Sequence, residues 1–535
     1  MVASGRGFLT RQRLQPVLDA LPALLLVLGI ARQLAVNLRW VAQDQRVGAS
    51  VASGMTWWLN EAIHLHGMGQ LWAHRTGGHE PLDLFSLSGL GGWLLLGREP
   101  DAVLWVTLGF LAASQLLLLD VGRRLGSSWA GLVAALLLAM VPEISSMSRC
   151  WAPQLPQIFL LLAAVDCLLA SRSLSRPLPT LGFAIAATAG VVFTQMKTDN
   201  LLFSLAVAGM GAGSWARGLV LGRGPLPGQV LPRWRSALLG FGAVWLVLAG
   251  SWLLYWRWMS LDYYRLEMSS PAYRTVATWW QLSALSAYGR WLFWYGLGPV
   301  LGAAMFFGLG LFCWRGSGRA ELLGWAALPL AVLSVIYKKN PYYIAGIYPA
   351  LLLTGVLGLR ALGLRWPRLR APVWLGLALV VGVVWSQWEA GSSADAQASA
   401  HHRLPDHAQV FQTFHPPVLR PSDQGPDGRE IELIRQSLDP SSCPTGRRIC
   451  FSPRADDTAQ VLVGHTTDPC LVHDADDGQD NSSCDLVLLR DERCTPTGAA
   501  MAPPAAVRAL RDQGFAIETR DHGARPCLWM LVRTP

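Results

Sequence analysis

The chain has 535 residues, of which 52% are hydrophobic and only 15% charged, with 25 tryptophans and a net charge of +9. That balance excludes an ordinary soluble globular protein and predicts an α-helical polytopic membrane protein with no nucleic-acid partner. From His401 onward the character changes: 14 arginines stand against 19 Asp and Glu, so this tail is net −5 while the rest of the chain is net +14.

Apolar runs long enough, or nearly so, to cross a hydrocarbon core of about 30 Å recur up to Trp388. The first covers 16–38, and it has no small-residue cleavage site after it, so it is expected to be a retained helix rather than a removed signal peptide. Asp44 follows it in "VAQDQRVGAS". A carboxylate there could take a proton from an attacking hydroxyl, or it could be an interfacial acid paired with Arg46.

The loop over 39–100 carries an interfacial amphipathic pattern, in which Trp57, Trp58, Ile63, Leu65, Met68, Leu71 and Trp72 alternate with Asn60, Glu61, His64 and His66. Its second element, "GGHEPLDLFSLSGLGGWLLLG", opens on His79 and Glu80. As a helix, Leu84 to Gly97 would reach only about 21 Å, so it is expected to lie on the membrane rather than to cross it. His64, His66, His74 and His79 share this loop, but His64 and His66 lack the i, i+4 spacing of a helical metal pair. A divalent metal is therefore not favoured.

Ten further spans are expected at 101–122, 128–142, 154–171, 178–196, 200–216, 237–256, 291–313, 320–337, 342–360 and 371–388, which makes about eleven transmembrane helices in all. Basic residues near span ends mark cytoplasmic turns. With the N-terminus inside, the later inside turns, among them Arg123, Arg124, Arg360, Arg365, Arg368 and Arg370, hold fourteen basic residues, against eight outside after the first loop. A twelfth span at 77–97 would invert that bias. No internal repeat is evident, which weakens a transporter built on inverted halves.

The chain has only three lysines, Lys197, Lys338 and Lys339, and all fall at expected outer ends of spans, as do Arg149, Tyr342 and Tyr343. An ammonium there could meet a lipid phosphate; the alternative is plain snorkelling. Asp166 sits toward the cytoplasmic end of the 154–171 span, where pairing with a neighbouring helix accounts best for it.

Six of nine cysteines, Cys443, Cys450, Cys470, Cys484, Cys494 and Cys527, lie in the tail, an even number suited to disulfides in an oxidising compartment. "RRICFS", "AQVLVGHT", "CDLVLLRD" and "PCLWMLVR" read as short strands, and "PPAAVRALRDQG" as a helix. A small α/β C-terminal extracytoplasmic domain is therefore expected over 405–535, joined through a linker at 391–404 to the membrane domain, 1–390.

Five patterns, taken together, resemble the GT-C glycosyltransferases that use polyprenyl-phosphate-linked sugars, in particular the protein O-mannosyltransferases and the aminoarabinose transferase group. They are Asp44 after the first span, "GGHEPLDLF", "DVGRRLGSSWAGLVAALLLAMVPEISSMSR", "FTQMKTDN" and "YKKNPYYIAGIYPALLL". The resemblance covers most of residues 10–390, and Gln45, Glu80 and Gln154 depart from the family's pattern. It implies an inverting transfer from a polyprenyl-phosphate-linked sugar to a glycan, lipid or protein acceptor, with Asp44 as general base. It also implies that Lys197, Lys338, Lys339, Tyr343 and Arg149 contact the donor phosphate, and that no cofactor is needed. The implied setting is a bacterial inner membrane, with the N-terminus cytoplasmic and the tail periplasmic. A non-enzymatic carrier or binder of lipid-linked sugars is the competing expectation.

Overall fold

The structure, a computed structural model, describes residues 5–44, 84–97, 100–148, 153–171, 178–194, 202–207, 281–314, 320–335, 341–391, 448–451, 471–474, 484–490, 505–520 and 528–533. The membrane portion contains helices α1 (Gly5–Asp44), α2 (Leu84–Leu96), α3 (Pro100–Arg124), α4 (Ser128–Met140), α5 (Pro142–Met147), α6 (Gln154–Ser171) and α7 (Leu178–Thr194). These are followed by α8 (Pro299–Trp314), α9 (Ala320–Val335), α10 (Tyr348–Arg365) and α11 (Pro367–Gly391). Among the described residues, four segments are long and apolar enough to cross a membrane by length and composition: Ala20–Arg39, Leu104–Arg124, Tyr343–Arg365 and Pro367–Glu389. The expected span 237–256, most of 200–216 and the amphipathic stretch at 57–72 lie outside the described residues.

Local chemistry sets the element ends. Helix α4 is N-capped by Ser127, whose Oγ accepts from the Ala130 amide at 3.1 Å, and it stops before Pro142, which has no amide proton for a continuing ladder. The first helix runs well beyond the expected 16–38 at both ends and continues through Pro16 and Pro22. The span expected at 291–313 is divided: Trp291–Gly296 forms a π-helical turn, and the α-helix resumes only at Pro299. Between them Gly298 has φ +75°, a left-handed conformation that side chains resist.

The expected short helix of the first loop is present as α2, with 13 residues, or about 20 Å. Phe85, Ser86, Gly89, Leu90, Gly92 and Trp93 are buried on one face, against α3 and α7. The other face is also apolar, with Leu84, Leu94, Leu95 and Leu96 exposed. Its two faces therefore divide protein from lipid-like surroundings rather than core from water, while its length stays short of a crossing.

Helices α8 and α10 make the most extensive packing in the bundle, and glycines allow it. A Cβ at Gly308 would overlap the Gly355 carbonyl oxygen, and one at Gly355 would sit 2.8 Å from Met305 Sδ. Two contacts fix how the first and last membrane helices run. A Cβ at Gly29 would lie 3.8 Å from the Trp385 ring, and Arg32 pairs with Glu389. Residue numbers rise together along both helices, so α1 and α11 are parallel. The Asp44 end of α1 and the end of α11 that leads to the tail therefore lie at the same end of the bundle.

In the tail, β1 (Arg448–Phe451), β2 (Leu471–Asp474), β3 (Leu486–Arg490), β4 (Phe515–Arg520) and β5 (Leu528–Arg533) form a sheet of order β2-β1-β3-β5-β4, with α12 (Ala505–Asp512) between β3 and β4 in sequence. β1 is parallel to β2 and β3, whereas β5 is antiparallel to β3 and β4. Val487, Val507, Leu510, Phe515 and Leu531 form the core beside a Cys450–Cys484 disulfide. Strands β2 and β4 had no counterpart in the sequence reading. "LVHD" is short and half polar, and "FAIETR" carries Glu518 and Arg520 in place of a clean apolar alternation. "AQVLVGHT" and the other four tail cysteines lie outside the described residues.

Candidate functional site

The helices sort the chain's turns into two ends. At one end, Pro22 of α1, the α3–α4 turn with Arg123 and Gly126, and Arg360 and Arg370 beside the α10–α11 turn line a common cavity. At the other end lie the C-terminus of α1, the α4–α5–α6 connection, the start of α10 and the last turns of α11.

This second end is held by buried polar contacts. Tyr348, the first residue of α10, donates its hydroxyl proton to Oε2 of Glu143 on α5, and both side chains are buried. The Trp388 indole near the end of α11 donates to Ser145 Oγ at 2.8 Å. Ser148 Oγ donates to the Ser145 carbonyl at 2.7 Å. Burial pushes the Glu143 carboxyl up to about 8, and the Tyr348 hydrogen bond opposes that rise. Glu143 thus carries its proton at neutral pH, which avoids a buried unpaired charge.

The start of α10 is also pinned from a third direction. Tyr343 and Gly346 belong to a 3-10 helix, Pro341–Ile347, that leads into α10. A Cβ at Gly346 would sit 2.9 Å from Phe203 Cζ and 3.1 Å from Leu161 Cδ1. Residues from "VPEISSMSR", from "YYIAGIYPALLL" and from the segment that follows "FTQMKTDN" therefore meet at this end.

Among the sequence-predicted site residues, Tyr343 is half-buried against the core, and Asp44 is the last residue of α1. Arg149, Lys197, Lys338, Lys339, His79 and Glu80 lie outside the described residues. Asp166 is paired with a neighbouring helix, as expected: Arg124 Nε donates to its Oδ1 at 2.6 Å and Nη2 to its Oδ2 at 3.3 Å. Cys167 and Cys313 are free thiols. Glu143 and Tyr348 were not singled out by sequence reasoning. The available signal was a lone acid in "PEISSM", directly after a span and with no basic neighbour in its own helix.

The chain shares its overall fold with solved structures. Solved structures with the same arrangement include ArnT from Cupriavidus metallidurans bound to undecaprenyl phosphate, at a TM-score of 0.56 and 14% identity, covering 95% of this chain and 99% of that one. The apo state of the same ArnT gives a TM-score of 0.53 at 14% identity, over 95% of this chain and 98% of that chain. The apo oligosaccharyltransferase from Archaeoglobus fulgidus gives 0.45 at 12% identity, covering 87% of this chain and 69% of that one. No protein-family profile and no curated protein matches the sequence.

Proposed function

We propose that the protein is a membrane glycosyltransferase that moves a sugar from a polyprenyl-phosphate-linked donor to a glycan, lipid or protein acceptor at the outer face of a bacterial inner membrane. The observation that carries the reading is the fold shared over nearly the whole chain with ArnT, a protein solved with undecaprenyl phosphate bound. The local geometry supports it. Arg149 follows Ser148 directly in the chain, and Lys338 and Lys339 precede Pro341 by two or three residues. The described segments beside them meet at one end through Glu143, Ser145, Tyr348 and Trp388. Asp44 closes α1 at this same end.

In the proposed reaction the acceptor hydroxyl attacks the anomeric carbon as Asp44 takes its proton. The bond from that carbon to the phosphate oxygen breaks, the phosphate leaves with the electron pair, and the configuration inverts. Arg149, Lys197, Lys338, Lys339 and the Tyr343 hydroxyl hold the developing phosphate charge, which needs cations more than covalent help. His79 and Glu80 lie in the first-loop motif and are assigned to the same face. No cofactor enters this scheme. The tail, 405–535, is assigned to the periplasmic side with Asp44, in keeping with the parallel course of α1 and α11.

Lipid analysis of wild-type and deletion cells tests the proposal. Deletion is expected to accumulate a polyprenyl-phosphate sugar and to lose one envelope glycan. An Asp44→Asn chain, inserted at wild-type levels, should restore transfer at least about a hundredfold more slowly than wild type, the scale of a lost general base. Full restoration by Asp44→Asn would refute the assignment. Transport of an unchanged lipid-linked sugar would favour the carrier reading.

A further inference from the structure

A cavity of about 860 Å³ opens at the end of the bundle opposite the Glu143–Tyr348 contact. Its lining divides cleanly by chemistry. Arg123, Arg360 and Arg370, from three different helices, stand at one end. Leu132, Leu136, Val381, Gly382 and Trp385 continue as an apolar wall along α4 and α11 toward the other end. No carboxylate is among the described lining residues. The nearby Asp120 pairs with both Arg123 and Arg124.

We infer that this groove seats an anionic phospholipid, with its headgroup phosphate among Arg123, Arg360 and Arg370 and one acyl chain along the wall formed by α4 and α11. Guanidinium groups bind phosphate through strong charge-assisted hydrogen bonds, and the apolar wall gains by covering itself with hydrocarbon. A free phosphate would leave that wall uncovered. A peptide segment would bring backbone amides to a depth where they find no partners. A choline headgroup would bring its cation toward three arginines. Helix α11 also faces outward along this stretch, with Leu375, Leu379 and Val383 exposed, so a chain could enter sideways from the bilayer. Basic pockets between membrane helices on the cytoplasmic side favour anionic headgroups on the same grounds. The seat lies at the opposite end from the proposed transfer chemistry and does not depend on it.

Native mass spectrometry of the detergent-solubilised full chain tests the inference by binding alone, with phosphatidylglycerol, phosphatidylcholine of identical acyl chains, and inorganic phosphate as probes. Phosphatidylglycerol is expected to be retained as one saturable adduct, at least about tenfold more tightly than phosphatidylcholine. The double variant Arg360→Gln, Arg370→Gln should erase that preference. Gly382→Leu should weaken retention of the lipid without disturbing the fold, because a Cβ at Gly382 meets nothing within 4 Å. Equal retention of the two lipids, displacement by inorganic phosphate, or wild-type selectivity in the double variant would each overturn it.

Discussion

The two ends of the helical bundle are built by opposite means. At the arginine-rich end, Arg123 and Arg124 sit at a turn and reach Asp120 at i,i+3 and i,i+4, and Arg124 also reaches Asp166 on a distant helix. At the other end, Glu143 meets Tyr348 across 205 residues and Ser145 meets Trp388 across 243. The first end is partly wet, with the Arg123 side chain 67% exposed, whereas Glu143, Ser145, Tyr348 and Trp388 are all buried. Polar contacts therefore do different jobs. Exposed local pairs add little stability, while buried distant ones tie α5, α10 and α11 into one geometry beside the proposed reaction centre.

Removing a partner at the dry end should have the largest effect. Glu143→Ala strips the Tyr348 hydroxyl of its acceptor and leaves a cavity, at a cost of about 2–4 kcal/mol. Glu143→Gln, which keeps an acceptor, should lose less than half of that. Thermal unfolding of the purified protein, followed by size-exclusion chromatography, measures both. An alanine variant as stable as wild type would remove the distinction between the ends.

The pH profile sharpens the same contrast. Burial raises the folded-state pKa of Glu143 from 4.5 to about 8, so the folded state binds the extra proton. The stability contributed by this protonated group is complete below the unfolded value and is lost as pH climbs through the folded one. Wild-type stability should therefore decline between about pH 5 and 8, and Glu143→Gln should remove that slope. A profile unchanged by the substitution would place the carboxyl in water instead.

Asp166→Asn should cost less, about 1–2 kcal/mol, because Arg124 retains Asp120 and is partly exposed. This pair also marks what could be read from the sequence. An acid inside an apolar run carries its own demand for a cation, so the pairing of Asp166 with a neighbouring helix was legible. The described apolar helices followed from apolar length, and Ser127 and Pro142 set one of them almost to the residue. Glu143 was not legible in the same way. It falls outside the apolar run, where an acid needs no explanation, and its partner is a tyrosine on a helix more than two hundred residues away. The split of 291–313 was hidden for a different reason: Gly298 is one of many glycines, and only its positive φ distinguishes it. The acid after the first span was legible as a position, and α1 does extend to it.

Arg123→Gln is expected to have the smallest effect on stability, about 0–0.5 kcal/mol. Its ion pair with Asp120 lies within one helix and is largely solvated, and Asp120 keeps Arg124 as a second partner at 2.8 Å. The same substitution removes one of the three guanidiniums lining the groove, so phosphatidylglycerol retention should fall even though the unfolding temperature does not. A stability and a binding measurement on one variant therefore separate the two uses of charge at this end. A loss above 1 kcal/mol would mean that the arginine-rich end, like the other, depends on its polar contacts to hold the helices together.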